Sequence, residues 1–304
     1  MMHFADRLAA AVRHKGTALC VGLDPRWEQL PDQLRGRHRD ASLNGVAAAC
    51  EELCLRVLDI VAPLVAVVKP QSAFFEACGP AGMAALQRVL SRARALGLLT
   101  ILDSKRNDIA STAAAYADAA LAGLAIDGRR LPVWDADAMT VNAYLGRDSI
   151  EPFLQSARQA GRGLFVLVRT SNPGAGQFQD LVCQGKPLFY HVAGAVQQWT
   201  RENLGACGLG DVGAVVGATH AAELAAVRQQ LPEAWFLVPG YGTQGGSAAD
   251  VAAGFRGDGL GAVVSSSRGI TACFQPSEPH WQSAIDGATR AAITALGAVT
   301  IAAN

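Results

Sequence analysis

Three charged residues, Asp103, Lys105 and Asp108, stand where an apolar run gives way to an alanine-rich stretch, in the segment TILDSKRNDIASTAAAY at 100–116. In an extended strand, residues two apart share a face, so Asp103 and Lys105 project toward the same space. A carboxylate and an ammonium buried side by side are costly unless each satisfies the other or both serve chemistry. Taken alone, an Asp-x-Lys-x-x-Asp is better explained by a surface ion pair at a strand-to-helix turn. The elements around it decide between the two readings.

Those elements alternate. Apolar runs at 18–24, 64–70, 98–104, about 138–143, 164–170, 214–217, 235–238 and 262–266 read as strands buried on both faces. Helical patterns, with apolar residues every three or four positions, fall at about 44–61, 81–96, 149–160, 188–204 and 281–296, and in AAELAAVRQQL. Gly97 suits the left-handed cap of the second of these. The opening MMHFADRLAAAVRHKG is an amphipathic helix, and the arginine-rich stretch 26–40 is a polar loop. Eight apolar strands separated by helices predict an α/β fold, the (β/α)8 TIM barrel, with eight parallel strands inside a ring of helices. An open doubly wound sheet is the alternative, but no Gly-x-Gly-x-x-Gly follows the first strand, so a dinucleotide site is poorly supported. No solenoid-length repeat and no linker composition divides the chain, and 1–304 reads as one domain.

Composition agrees with a large core: half of the 304 residues are hydrophobic and 17% are charged. The formal net charge is zero and no basic block occurs, so neither nucleic acid nor an anionic membrane is indicated as a partner. Any anion must be held by local groups. No apolar run approaches the ~20 residues that cross a bilayer. Seven scattered cysteines form no paired zinc pattern, and their odd number without a signal peptide points to reduced thiols in a cytoplasmic protein. Cys50 and Cys54 read as helix packing, Cys20 and Cys273 have no visible activating partner, and Trp199, Trp235 and Trp281 read as core. His14, His38 and His191 suit the surface or a helix, and His220 a loop or cap.

Active sites of such barrels lie at the carboxyl ends of the strands. Those ends carry Asp24, Lys69, Asp103 with Lys105, Asn142, Thr170 with Ser171, Thr219 with His220, the segment 239–246 opened by Pro239, and Ser267 with Arg268. The strand bodies are aliphatic, so the polar groups gather at one end of the barrel. Gly240, Gly242, Gly245 and Gly246 permit close backbone approach to an anion, and Arg268 can grip phosphate oxygens bidentately. Opposite them, Asp24, Lys69, Asp103, Lys105 and Asp108 form a charged network suited to holding an ammonium beside a reacting carbon.

LDSKRNDIAST resembles the signature of the orotidine 5'-monophosphate decarboxylase family, an Asp-x-Lys-x-x-Asp-Ile followed shortly by a threonine. The likeness continues in VGLDPR, VVKPQSAFFE, TVNAYLGRDSIEPF, VRTSNPGAGQ and VPGYGTQGG, and so runs through most of the chain. Three of these stretches, VGLDPR, SNPGA and PGYGTQGG, are similar to the bacterial branch with longer loops, type 2. The resemblance implies a homodimeric barrel that converts orotidine 5'-monophosphate to uridine 5'-monophosphate and carbon dioxide in pyrimidine biosynthesis, with no cofactor and no metal. It assigns Lys69, Asp103, Lys105 and Asp108 to the catalytic network, with Lys105 stabilising and protonating a carbanion at C6. Asp108, with Ile109 and Thr112 nearby, would serve the partner subunit's site. Asp24 and Lys69 would meet ribose hydroxyls, Ser171 the pyrimidine edge, and Gln244 and Arg268 the phosphate, with Pro239 and Ser267 also at the substrate. Two positions depart from the family pattern: Tyr241, where an aliphatic residue is usual, and Ser267, where a glycine often precedes the arginine. Related sugar-phosphate barrels, a keto-gulonate phosphate decarboxylase or a hexulose phosphate synthase, share an Asp-x-Lys element but depend on magnesium. A non-catalytic sensor of a phosphorylated ligand is a rival of another class.

Overall fold

The computed structural model of the chain describes residues 2–38, 40, 42–218, 221–242 and 246–300, with 299 and 300 by backbone alone. Eight parallel strands close into a barrel: β1 (Leu19–Leu23), β2 (Val67–Pro70), β3 (Leu99–Arg106), β4 (Ala138–Val141), β5 (Gly163–Arg169), β6 (Val212–Val216), β7 (Phe236–Val238) and β8 (Ala262–Ser266). Each pairs with its neighbour in sequence, and β8 closes on β1 with Val264 opposite Leu19. Every residue of β1, β2, β4, β6, β7 and β8 is buried, because side chains point either into the barrel or under the helices. That is why these strands read as continuous apolar runs rather than alternating ones.

The helices cover the barrel with their apolar stripes. Leu43–Val61 starts where Ser42 Oγ accepts from the Gly45 N–H, and it buries Leu53, Val57, Leu58 and Val61. Gly79–Ala95 packs beside it and is followed by Gly97 at φ 76°, the left-handed turn expected there. The amino-terminal helix Phe4–Lys15 plugs the barrel bottom, with Phe4 edge-on to Phe165 at 6.2 Å. Beside that plug, Asp137 accepts from Arg7 at 2.7 Å, from Arg162, and from the Thr100 N–H at 3.0 Å. This ion cluster lies at the amino ends of the strands, the end that serves stability in such barrels.

Strand and helix ends depart from the sequence reading by a few residues. β2 begins at Val67 rather than 64, because the chain is still turning off the preceding helix, and β3 continues to Arg106 rather than stopping at 104. Two antiparallel hairpins escaped that reading: Leu124–Ile126 with Arg129–Leu131, and Val182–Cys183 with Lys186–Pro187. Their strands are too short for an apolar pattern. Both turns place two successive residues at positive φ, Asp127 and Gly128 at 48° and 75°, Gln184 and Gly185 at 50° and 79°. That is the tight-hairpin geometry an Asp-Gly pair favours.

Candidate active site

The carboxyl ends of the strands surround a cavity of about 650 Å³, a size suited to a nucleotide-sized ligand. Asp24, Lys69, Asp103, Lys105, Ser171, Pro239, Ser267 and Arg268, all named from the sequence, line it together. Asp103 is its electrostatic centre. Its carboxylate accepts from Lys69 Nζ on Oδ2 at 2.8 Å, and on Oδ1 from Lys105 Nζ at 2.6 Å and Thr140 Oγ1 at 2.9 Å. Lys69 and Asp103 are each 6% exposed, whereas the Lys105 side chain is 44% exposed and reaches the open space.

Burial alone would push the Asp103 carboxyl up, but the ammonium groups of Lys69 and Lys105 more than offset it and hold the carboxyl well below the usual range. Burial likewise opposes the charge on Lys69, and the carboxylates of Asp103 and Asp24 overcome it and hold the ammonium above its ordinary value. The result is an ionised Lys69–Asp103 pair in the buried wall of the cavity. Asp24 adds a buried carboxylate oxygen, Oδ1, that has no donor among the described residues. An unsatisfied buried acceptor beside a cavity is a ready partner for a ligand hydroxyl.

Asp103 and Lys105 do converge, but not by simple strand alternation. Pairing of β3 with β4 skips between Leu102 and Arg106, and Lys105 takes a left-handed backbone at φ 48°. The strand bulges, and the bulge turns the lysine back over the aspartate.

Across the cavity, the described ends of the glycine segment are tied to each other. Gly240 adopts φ 94°, its carbonyl accepts from the Gly246 N–H at 3.2 Å, and Gly242 N–H donates to the Gly246 carbonyl at 2.8 Å. Arg268 opens the short helix after β8 at the rim of the cavity, and no carboxylate pairs with it among the described residues. Ser267 sits directly over Gly22 of β1, where a Cβ would collide with the serine side chain.

Asp108 does not line the cavity of its own chain; its Oδ1 accepts from the following Ile109 N–H at 2.8 Å. Ile109 is 55% exposed and Thr112 is exposed on the outer surface beside it. Gln244, Gly245, Thr219 and His220 lie outside the described residues. Cys20 is buried and its thiol is pushed up to about 12 by burial, so it offers no thiolate, and Trp199, Trp235 and Trp281 are buried packing. Among the described residues no cluster of three or more His, Cys, Asp or Glu stands ready to ligate a metal.

The cavity also contains Arg26, Gln71, Thr140, Asn172 and Gln179, which the sequence reading did not single out. A hydroxyl in the otherwise apolar run AMTV was the available signal for Thr140, and proximity to Asp24 the one for Arg26. Gln179 folds back nine residues to clamp Thr170, accepting from its N–H at 3.0 Å and donating to its hydroxyl at 2.7 Å. No local pattern announces such a return.

Residues 17–278 match the model of the orotidine 5'-phosphate decarboxylase / HUMPS family. The chain belongs to that family. It is similar to the orotidine 5'-phosphate decarboxylase of Rhodopirellula baltica, 49% identical over 95% of this chain and 97% of that protein. The Deinococcus radiodurans orotidine 5'-phosphate decarboxylase is 42% identical, with 88% of each chain covered. Among solved structures, the OMP decarboxylase of Leishmania donovani superposes with a TM-score of 0.75 at 33% identity over 99% of both chains. These similarities span the whole barrel, so as a family member the chain carries the complete decarboxylase fold.

Proposed function

We propose that residues 1–304 form a single catalytic barrel that decarboxylates orotidine 5'-monophosphate to uridine 5'-monophosphate in pyrimidine biosynthesis. The observation that carries the reading is the Lys69–Asp103–Lys105 array at one side of a cavity whose other side holds Arg268 and the glycine loop. An array of fixed charges facing a phosphate anchor suits a substrate with a reacting carboxylate at one end and a phosphate at the other. The 49% identity to a named decarboxylase over nearly the full chain supports this substrate above the sugar phosphates of related barrels.

In the reaction the bond between C6 and the carboxyl carbon breaks, the electron pair stays on C6, and carbon dioxide leaves. Lys105, with Nζ held 2.6 Å from Asp103, stabilises the developing carbanion by its positive field and then gives C6 a proton, which solvent restores. Asp103 holds that ammonium in place. Asp24 and Lys69 meet ribose hydroxyls, Ser171 the pyrimidine edge, and Gln244 and Arg268 the phosphate, with Pro239 and Ser267 also at the substrate. The loop carrying Tyr241 and Gly242 draws on that phosphate for its closure. Neither a cofactor nor a metal takes part.

The active form is a homodimer in which Asp108 completes the site of the partner subunit, with Ile109 and Thr112 contributing beside it. The exposure of Ile109, Thr112 and Tyr116 along one helix edge supports a covered face there. Seven free cysteines support a reducing compartment, the cytoplasm, and no helix among the described residues is long and apolar enough to cross a membrane.

The test is loss of orotidine 5'-monophosphate, followed by ultraviolet absorbance, with a metal chelator present. Turnover unaffected by chelator is the expected result. Turnover lost to chelator and restored by magnesium would overturn the metal-free reading, and an unchanged spectrum with saturable binding would favour a sensor.

A further inference from the structure

We infer that Thr140, on β4, is a positioning residue that sets the geometry of the Lys105–Asp103 pair; the role rests on the decarboxylase reading above. A hydroxyl carries one proton and two lone pairs. Thr140 Oγ1 lies 3.0 Å from the Ser104 N–H and 2.9 Å from the Lys105 N–H, and backbone N–H groups can only donate. Both lone pairs are therefore used, and the one proton is directed to Asp103 Oδ1 at 2.9 Å. That same oxygen receives Lys105 Nζ at 2.6 Å.

The need for such a group follows from the bulge. Between the pairs Leu102↔Met139 and Arg106↔Val141, β3 advances four residues while β4 advances two, so two residues of β3 lose their places in the ladder. The N–H groups of Ser104 and Lys105 fall in that gap, and the Thr140 hydroxyl takes up both. Lys105 sits there at φ 48°, a backbone region that a non-glycine residue occupies only when its surroundings hold it. Thr140 borders the cavity yet is only 1% exposed, so its hydroxyl is spent on these protein partners rather than on solvent. One side chain thus fixes the backbone from which Lys105 springs and one of the hydrogen bonds that orient Asp103. It touches no substrate atom in this assignment and acts through the pair.

The experiment compares Thr140→Val, nearly isosteric but without the hydroxyl, with Thr140→Ser, which keeps it. For Thr140→Val we expect kcat to fall roughly 10- to 100-fold while KM and the affinity for the product, uridine 5'-monophosphate, stay within about threefold. For Thr140→Ser kcat stays within about threefold of wild type. Should Thr140→Val fail to fold, Thr140→Cys against Thr140→Ser gives the same contrast, since a thiol is a weak hydrogen-bonding group. A Thr140→Val enzyme that melts earlier but keeps its kcat would show a merely structural residue and overturn the proposal, as would a Thr140→Ser enzyme as impaired as Thr140→Val. A wild type inert toward orotidine 5'-monophosphate would overturn the decarboxylase reading and this one with it, whereas an active wild type with an unaltered valine variant would overturn this one alone.

Discussion

At the scale of single residues, Arg268 stands at the rim of the cavity with no carboxylate paired to it among the described residues. Its charge is open to a ligand anion, and a charge-assisted bond of about 1.5–3 kcal/mol implies that Arg268→Ala raises KM for the nucleotide roughly 10- to 100-fold. Steady-state kinetics would show it; an unchanged KM would remove Arg268 from the phosphate site. The buried pair makes a second forecast. With its folded value depressed, Asp103 contributes stability above its unfolded value of about 3.8 and loses it only as pH falls through the folded one. With its folded value raised, Lys69 contributes fully below about 10.5 and loses its contribution as pH rises through the folded one. Between about pH 5 and 9 neither changes charge, so the Tm difference between wild type and Lys69→Met should be constant there. A difference that shrank from pH 7 to 9 would mean that Lys69 loses its proton within that range. The residues at strand ends were legible because charge at the end of an apolar run is conspicuous in the sequence. Thr140 and Gln179 were not, since a strand hydroxyl and a loop amide acquire meaning only from partners 35 and 9 positions away.

At the scale of elements, the strands β7 and β8 that present the proposed phosphate side are tied together by Arg228. Its buried guanidinium donates to the carbonyls of Leu231, Ala234, Gly254 and Gly261 at 2.6–3.0 Å and stacks on Phe236 at 3.6 Å from the ring centre. Removing it leaves several carbonyls without donors, at a cost of about 3 kcal/mol or more. Arg228→Met should therefore lower Tm by roughly 6–12 °C with little change in KM for the enzyme that remains folded. An unaltered Tm in calorimetry would contradict this. All eight strands were legible as apolar runs because the bodies of the strands are covered on both faces. The bulge in β3 was not, because it depends on register with β4, which only the closed barrel fixes. The two hairpins left the weaker trace of Asp127 and Gly128, or Gln184 and Gly185, at their turns.

At the scale of the whole molecule, the proposed dimer divides each site between two chains, and Asp108 lies away from its own cavity. Lys105→Ala and Asp108→Ala homodimers should each be inactive. Mixed and allowed to exchange subunits, they should recover about a quarter of wild-type activity, because half the dimers are mixed and one of their two sites is intact. No recovery despite demonstrated exchange would place Asp108 in its own chain's site. The account as a whole depends on Lys105 acting on a bound nucleotide. Its most direct test is the absorbance assay on orotidine 5'-monophosphate, run with wild type and Lys105→Ala in the presence of chelator, alongside binding of uridine 5'-monophosphate to both. Turnover by wild type, none detectable by the variant, and product binding by both are expected. Turnover by Lys105→Ala at a rate near that of wild type would contradict this.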